Sequence, residues 1–196
     1  MNVADIAWIL SAIALVTIMF PGLAFLYGGM LGKGQVLNMF MMVMSSLAVA
    51  TVVYVAVGHG LVMGNSVGGW GLIGNPSEWL FFRNAMADDG SGAALWGTFN
   101  ILFAAISLAL VASGAAGRMK FWAWIVFGAL WIIAVYAPLA HWVFAFDDPE
   151  AGVVGGWLAN RIGFHDFAGG TAIHMNAGAA GLALARDVQV ANLVLE

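Results

Sequence analysis

Five long apolar runs follow one another along this chain, near Ile6 to Met30, Val36 to Met63, Ala94 to Ala116, Phe121 to Phe146 and Phe167 to Ala185. A run of roughly 20 apolar residues is the length of helix that crosses about 30 Å of hydrocarbon. Of the 196 residues, 63% are hydrophobic and 8% charged, where an ordinary soluble domain carries about 25% charged residues. A soluble fold of this length would lack the polar groups to cover itself. The predicted fold class is therefore all-α, a polytopic membrane helix bundle of five transmembrane helices. They form a single transmembrane domain over 1-185, with 186-196 as a short cytoplasmic tail. The start, MNVAD, lacks the basic region of a signal peptide and runs on apolar past position 25, so the first run is expected to be a retained span.

Charge narrows the partners. A net charge of -4 and a pI near 5.4 offer no basic patch for a phosphate backbone, which argues against nucleic acid. The lipid bilayer is the expected surrounding. With no cysteine, thiolate metal sites and cysteine nucleophiles are excluded. Neither HExxH nor GxxxxGK[ST] occurs, and VASG around Ser113 lacks the flanks of an intramembrane serine nucleophile. No enzyme, metal site or cofactor is expected.

The basic residues set an orientation. Lys33, Arg118, Lys120 and Arg186 fall on one side of the five runs, and Arg83 and Arg161 on the other. The positive-inside rule then puts the amino terminus outside. The outer connections hold Glu78, Asp88, Asp89, Asp147, Asp148, Glu150 and Asp166. They are either ordinary solvated loop charges or a means of concentrating a cation. The connection from Gly64 to Ala93 carries Trp70, Trp79, Phe81 and Phe82 and is expected on the membrane interface, where tryptophan is favoured. Small residues at helical spacing (Gly28 with Gly32, Ala105 with Ala109, Ala112 with Ala116, Ala177 with Gly181) predict close helix packing.

The fifth run is the least apolar, with Gly169, Gly170, Thr171, His174 and Asn176 in its first half. Counted from Asp166, His174 falls roughly 12 Å into the membrane. An ionisable group at that depth is either placed for function or is a neutral imidazole bonded to a neighbouring helix. Asp166, in DFAGGT, is positioned to cap the helix through the amides of Ala168 or Gly169, and its charge would favour a cation at the outer mouth. Pro138 predicts a break in the fourth helix that frees the Ala134 carbonyl. His59 and His141 read as interfacial residues near the outer ends of their spans. Phe103 and Phe144 gain importance only if they line a path, because an aromatic face attracts a cation by about 0.5 to 2 kcal/mol.

Three blocks carry a resemblance to a known family: PGLAFLYGGMLGKGQVLNM from Pro21, FAAISLALVASGAAGRMKF from Phe103, and YAPLAHWVF with DFAGGTAIHMNAGAAGL between Tyr136 and Leu182. Their order and spacing resemble the ammonium transporter family (Amt/MEP/Rh), specifically its bacterial members, from about Ile6 to Ala185. The resemblance implies a homotrimer in the cell (plasma/inner) membrane. Each protomer of such a trimer recruits ammonium at an outer vestibule and passes ammonia through a hydrophobic pore. It implies that His174 is the first of two pore histidines, that Phe103 is an aromatic gate residue, and that Asp166 supports the vestibule. Ala168 matches a position whose carbonyl faces the substrate.

Four departures from the family pattern bear on function. Phe144 stands where a tryptophan usually stacks on the cation, Gly60 replaces a common serine, and His165 replaces an apolar residue after a lengthened loop. The family also has two inverted five-helix repeats, and this chain resembles the first alone. The expected product is thus a truncated or fragmentary half, whose pore needs association with a missing second half. The alternative is a non-transporting module that senses ammonium or associates with full-length protomers.

Overall fold

The computed structural model describes residues 1–85 and 92–195, with side chains placed as far as 187. Asp88 and Asp89 of the acidic connections lie outside the described residues. Among the described residues, four helices are long and apolar enough to cross a membrane: α1 (Val3–Gly29), α2 (Val36–Met63), α3 (Ala93–Ala115) and α4 (Phe121–Phe144). A short helix, α5 (Trp157–Arg161), was not anticipated by periodicity. The last helix, α6 (Asn176–Leu195), is entered through a wide π-turn, Gly170–Met175. It runs past residue 185, where the fifth apolar run ends, and carries Arg186 and Asp187 within it. Among the described residues β structure is limited to two isolated bridges, Ser66 with Gly74 and Asp148 with Val153.

The chain is a multi-pass helical membrane protein. Helices apolar on all sides belong in lipid, since they have no polar face to give to water. On α1, Trp8, Leu15, Ile18 and Phe25 all point outward, while Ile9, Phe20, Ala24 and Gly28 face the bundle. Asn2 caps α1 by accepting a hydrogen bond from the Asp5 amide at 2.8 Å.

The connections gather at two ends. At one end, Gln35 Nε2 donates to the Gly117 carbonyl (3.3 Å), Asn38 Nδ2 donates to the Met119 carbonyl (2.9 Å), and Arg118 reaches the Ala185 carbonyl (3.3 Å). The turns that carry Lys33, Arg118 and Lys120 and the stretch of α6 that carries Arg186 therefore share one end of the bundle. At the other end the two long connections are bound together. The Ser66 amide donates to the Val154 carbonyl, Trp142 Nε1 to the Leu72 carbonyl and Arg161 to the Gly69 carbonyl. A Cβ on Gly92 would run into Met1, so the amino terminus belongs to this second end.

The core is built on small residues and buried aromatics. Ala105, Ala109 and Ala112 are fully buried, as their spacing predicts. Gly32, by contrast, is exposed in the α1–α2 turn and packs against nothing. Trp124 is fully buried between α4 and α2, with Nε1 donating to the Met42 carbonyl at 2.9 Å. Three π-turns interrupt the helices, at Tyr54–Gly58 in α2, Ile132–Tyr136 in α4 and Gly170–Met175 ahead of α6. The second lies directly before Pro138, where the sequence predicts a break: the helix widens by one residue, and the Ala137 amide donates to the Ile132 carbonyl. Such turns recur at functional sites.

The segment expected on the membrane interface divides. Trp70 and Phe81 point outward, but Phe82 turns into the core. Phe81 and Phe82 both have positive φ, 54° and 57°, a conformation uncommon for side chains of this size. That reversal of the chain places the Phe82 ring against α2 and α3.

Candidate functional site

Two cavities contain most of the residues singled out in the sequence. The first, about 510 Å³, opens at the long-loop end and has aromatic walls. α3 presents Phe99 and Phe103 one turn apart, four residues being the spacing that aligns side chains on a helix, and their ring centroids are 4.6 Å apart. Phe144, the last residue of α4, brings its ring to 6.0 Å from Phe103. Trp79 closes the wall from the turn-rich segment. Such a box of ring faces suits a small cation.

The second cavity, about 330 Å³, is lined by His174 together with Tyr27, Leu110, Ser113 and Gly181. Phe103 of the first cavity and Leu110 of the second are seven residues apart on α3. Both therefore lie on nearly the same face, separated by about 10 Å along the axis. Here Gly114 and Gly181 pack backbone to backbone, so a Cβ on Gly114 would meet the Gly181 carbonyl.

His174 is exposed, and so are Met175 (70%) and Leu182 (75%) beyond it on the same helix. Within this chain the second cavity is open on one side. Phe103 and Phe144 are brought together, and His174 occupies a different cavity.

Asp166 is half-buried and borders neither cavity. Its Oδ2 accepts from the Thr171 amide (3.1 Å) and the Ala172 amide (2.8 Å), not from Ala168 or Gly169 as the sequence suggests. The correction has a simple cause. Gly169 adopts φ 74°, so regular turns begin at Gly170 and the free amides of the helix start are those of residues 171 and 172;. Ala168 is exposed in the loop that this bond closes.

Other acidic residues are used in the same manner. Glu78 accepts from the Asn65 amide (2.8 Å), Asp147 from the Gly155 amide (2.6 Å), and Asp148 from the Glu150 and Ala151 amides (both 3.1 Å). These carboxylates shape the loops.

The two histidines expected at the interface are inside the protein. His141 is fully buried and its Nδ1 donates to the Val62 carbonyl at 2.8 Å. His59 is 4% exposed and lines the aromatic cavity. Sequence reasoning also passed over Phe99, which its spacing from Phe103 would have indicated, and it put Trp79 on the membrane interface, where the structure places it in the cavity wall. The glycine at position 60 is explained by contact: a Cβ there would approach Pro76 Cα and carbonyl oxygen to 2.7 Å, leaving no room for a serine.

Residues 7–189 match the model of the Ammonium Transporter Family. An ammonium transporter from Corynebacterium glutamicum is 70% identical over 185 residues, covering 94% of this chain and 41% of that protein. One from Mycobacterium tuberculosis is 44% identical over 200 residues, covering 92% of this chain and 41% of that protein. Among solved structures, Saccharomyces cerevisiae Mep2 superposes with a TM-score of 0.78 at 31% identity, over 92% of this chain and 38% of that one. The chain spans about two fifths of the length of these curated relatives.

Proposed function

We propose, for a chain that belongs to the ammonium transporter family, that its helices form one wall of a pore which recruits ammonium and conducts ammonia across the cell membrane. The observation that carries this reading is the order along α3. An aromatic cavity at Phe103 is followed, about two helical turns on, by a cavity lined with His174. A cation is favoured by the ring faces of Phe103 and Phe144, and the cavity beyond, lined by His174, Ser113 and Tyr27, offers a small neutral amine hydrogen-bonding groups;. The His174 imidazole offers a hydrogen bond where lipid and Leu110 offer none.

In this reading the helix from Gly170 to Leu195 is the fifth span. The end with Lys33, Arg118, Lys120 and Arg186 faces the cytoplasm, and the amino terminus is outside. Asp166 holds the vestibule loop in shape, and the carbonyl of Ala168 faces the substrate path. The protein acts as a transporter and not as an enzyme, and its protomers assemble as trimers through outward apolar surface such as that of α1.

The exposure of His174, Met175 and Leu182 favours a second reading, in which the chain does not transport by itself but associates with a partner that covers this face. Methylammonium uptake into proteoliposomes separates the two. The chain alone is expected to leave uptake at the level of protein-free liposomes, and co-expression with the remaining portion of a relative to raise it. No uptake in either preparation, with the two parts co-purifying, would leave only the associating module.

A further inference from the structure

A third cavity, about 340 Å³, opens on the lipid-facing surface between α1 and α2 and belongs to neither of the two already described. Its floor is built from small residues. Ala24 and Gly28 are buried, and a Cβ on Gly29 would meet nothing within 4 Å. The rings of Phe25 and Phe40 meet edge to face across it, with centroids 5.3 Å apart, and Leu31 and Val36 close its end. The two helices touch beside it, where a Cβ on Gly28 would come to 3.3 Å from Val36 Cγ1. No lining side chain is polar, so water has little to gain there and an apolar chain has contacts on three sides.

The groove occupies the last turns of α1 and the first turns of α2, within roughly 8 Å of the helix ends along the axis. That is the level at which acyl chains leave the headgroups. Leu31 and Val36 both line the groove, and the turn that joins them carries Lys33, which is exposed. A lysine at a helix end lays its stem along apolar surface and puts its charge among the headgroups. Arg118, Lys120 and Arg186 share this end of the bundle, against which the described residues place one carboxylate, Asp187.

Charge decides between the two occupants that a groove facing lipid can have. A second copy of the chain inserted in the same direction would bring its own Lys33, Arg118 and Lys120 to the same level, and like charges repel. An anionic headgroup brings the opposite sign. Trp8, Leu15 and Leu26, all exposed, form a different stripe of α1, roughly a third of a turn away;. Contact between protomers through that stripe leaves the groove open to the bilayer.

We propose that the groove is a binding site for an anionic phospholipid. One acyl chain lies against Gly28 and Gly29 between Phe25 and Phe40, and the headgroup phosphate pairs with Lys33. The apolar walls accept any chain, and the lysine selects the headgroup by about fivefold, the usual effect of one such cation at a membrane surface. The site is independent of the cation reading of the aromatic cavity.

The test uses the whole chain in detergent micelles, with ¹³C in the phenylalanine rings. Phosphatidylglycerol and phosphatidylcholine with identical acyl chains are titrated separately. Native mass spectrometry counts the lipids and chains in each particle, and the rings of Phe25 and Phe40, assigned from their loss in Phe25→Leu and Phe40→Leu, report on the groove. Phosphatidylglycerol is expected to bind about fivefold more tightly than phosphatidylcholine, and both lipids to shift the two rings. Lys33→Gln should bring phosphatidylglycerol down to the level of phosphatidylcholine. Lys120→Gln removes a cation from the same end but from a different turn, and should change the ratio by less than about twofold. Gly29→Leu puts a side chain into the open space of the groove and should abolish the ring shifts with helical content unchanged.

Equal affinity for the two lipids would overturn the proposal. Equal losses in Lys33→Gln and Lys120→Gln would do so too, because the end as a whole and not the groove would then attract the headgroup. Rings of Phe25 and Phe40 that stay still while lipid binds would place the lipid elsewhere. If Gly29→Leu lowers the number of chains in each particle and leaves lipid binding intact, the groove is a contact between copies and the proposal falls.

Discussion

The Asp166 carboxylate accepts the amide of Ala172 at 2.8 Å, closing a six-residue loop at the head of the helix that bears His174. The same oxygen takes the Thr171 amide at 3.1 Å, so a single carboxylate satisfies two of the free donors that open the helix. Asp166→Ala leaves both without a partner and should destabilise this turn by about 1–2 kcal/mol. Amide hydrogen exchange at residues 171 and 172 should quicken roughly tenfold. Asp166→Asn, which keeps one oxygen acceptor, should show a smaller change. Exchange that is indifferent to Asp166→Ala would mean that the carboxylate does not hold the turn.

Gly114 and Gly178 differ as sites for a methyl group although both line the His174 cavity. A Cβ on Gly114 would collide with the Gly181 backbone, and one on Gly178 meets nothing within 4 Å. Gly114→Ala must push α3 and α6 apart, and overpacking of this kind destabilises by about 1–3 kcal/mol. Gly178→Ala should leave stability within about 0.5 kcal/mol of the parent. Thermal unfolding of the two variants in detergent, compared side by side, checks the contrast. Equal losses would place the α3–α6 contact elsewhere.

How much of this could be read from the chain itself depends on the range of the forces involved. Four spans were legible because apolar length is a local property, and residues such as Leu15 or Val43 needed no partner to be assigned. The end of α6 was not legible in that way, since Arg186 and Asp187 interrupt the apolar run while the backbone continues as helix to Leu195. The blocks around Phe103 and His174 could be matched to a family residue by residue. The environment of His59 could not. Its burial depends on Phe82, which reaches it through two successive residues with positive φ, and on Gly97 across the bundle. No periodicity records a contact made by a chain reversal 23 residues away. The role of Asp166 was read as a cap, but the amides it would meet depended on the left-handed turn at Gly169.

His174→Ala separates folding from function. The side chain is exposed in this chain, so its removal should change stability by no more than about 0.5 kcal/mol. In a pore completed by the remaining helices, the same change removes one hydrogen bond available to passing ammonia. Methylammonium uptake should then fall about tenfold, the equivalent of one such bond. Uptake that is unaffected would exclude His174 from the conduction path.

Phe144→Trp tests whether the aromatic cavity recruits a cation by its ring faces. Phe144 is half-buried at the end of α4, and the 510 Å³ cavity beside it has room for the larger indole. Tryptophan is the strongest of the aromatic side chains toward cations, and the advantage over phenylalanine at a partly exposed site is about 0.5–1 kcal/mol. That corresponds to roughly two- to fivefold tighter binding of methylammonium, and tetramethylammonium should gain by a similar factor because a ring face makes no use of N–H bonds. Titration of both cations, followed by the ring signals of Phe103, measures the two gains together. If neither improves, or if both weaken although the variant remains folded, the cavity holds its ligand by shape alone and the ring faces of Phe103 and Phe144 do not act as the cation's partners.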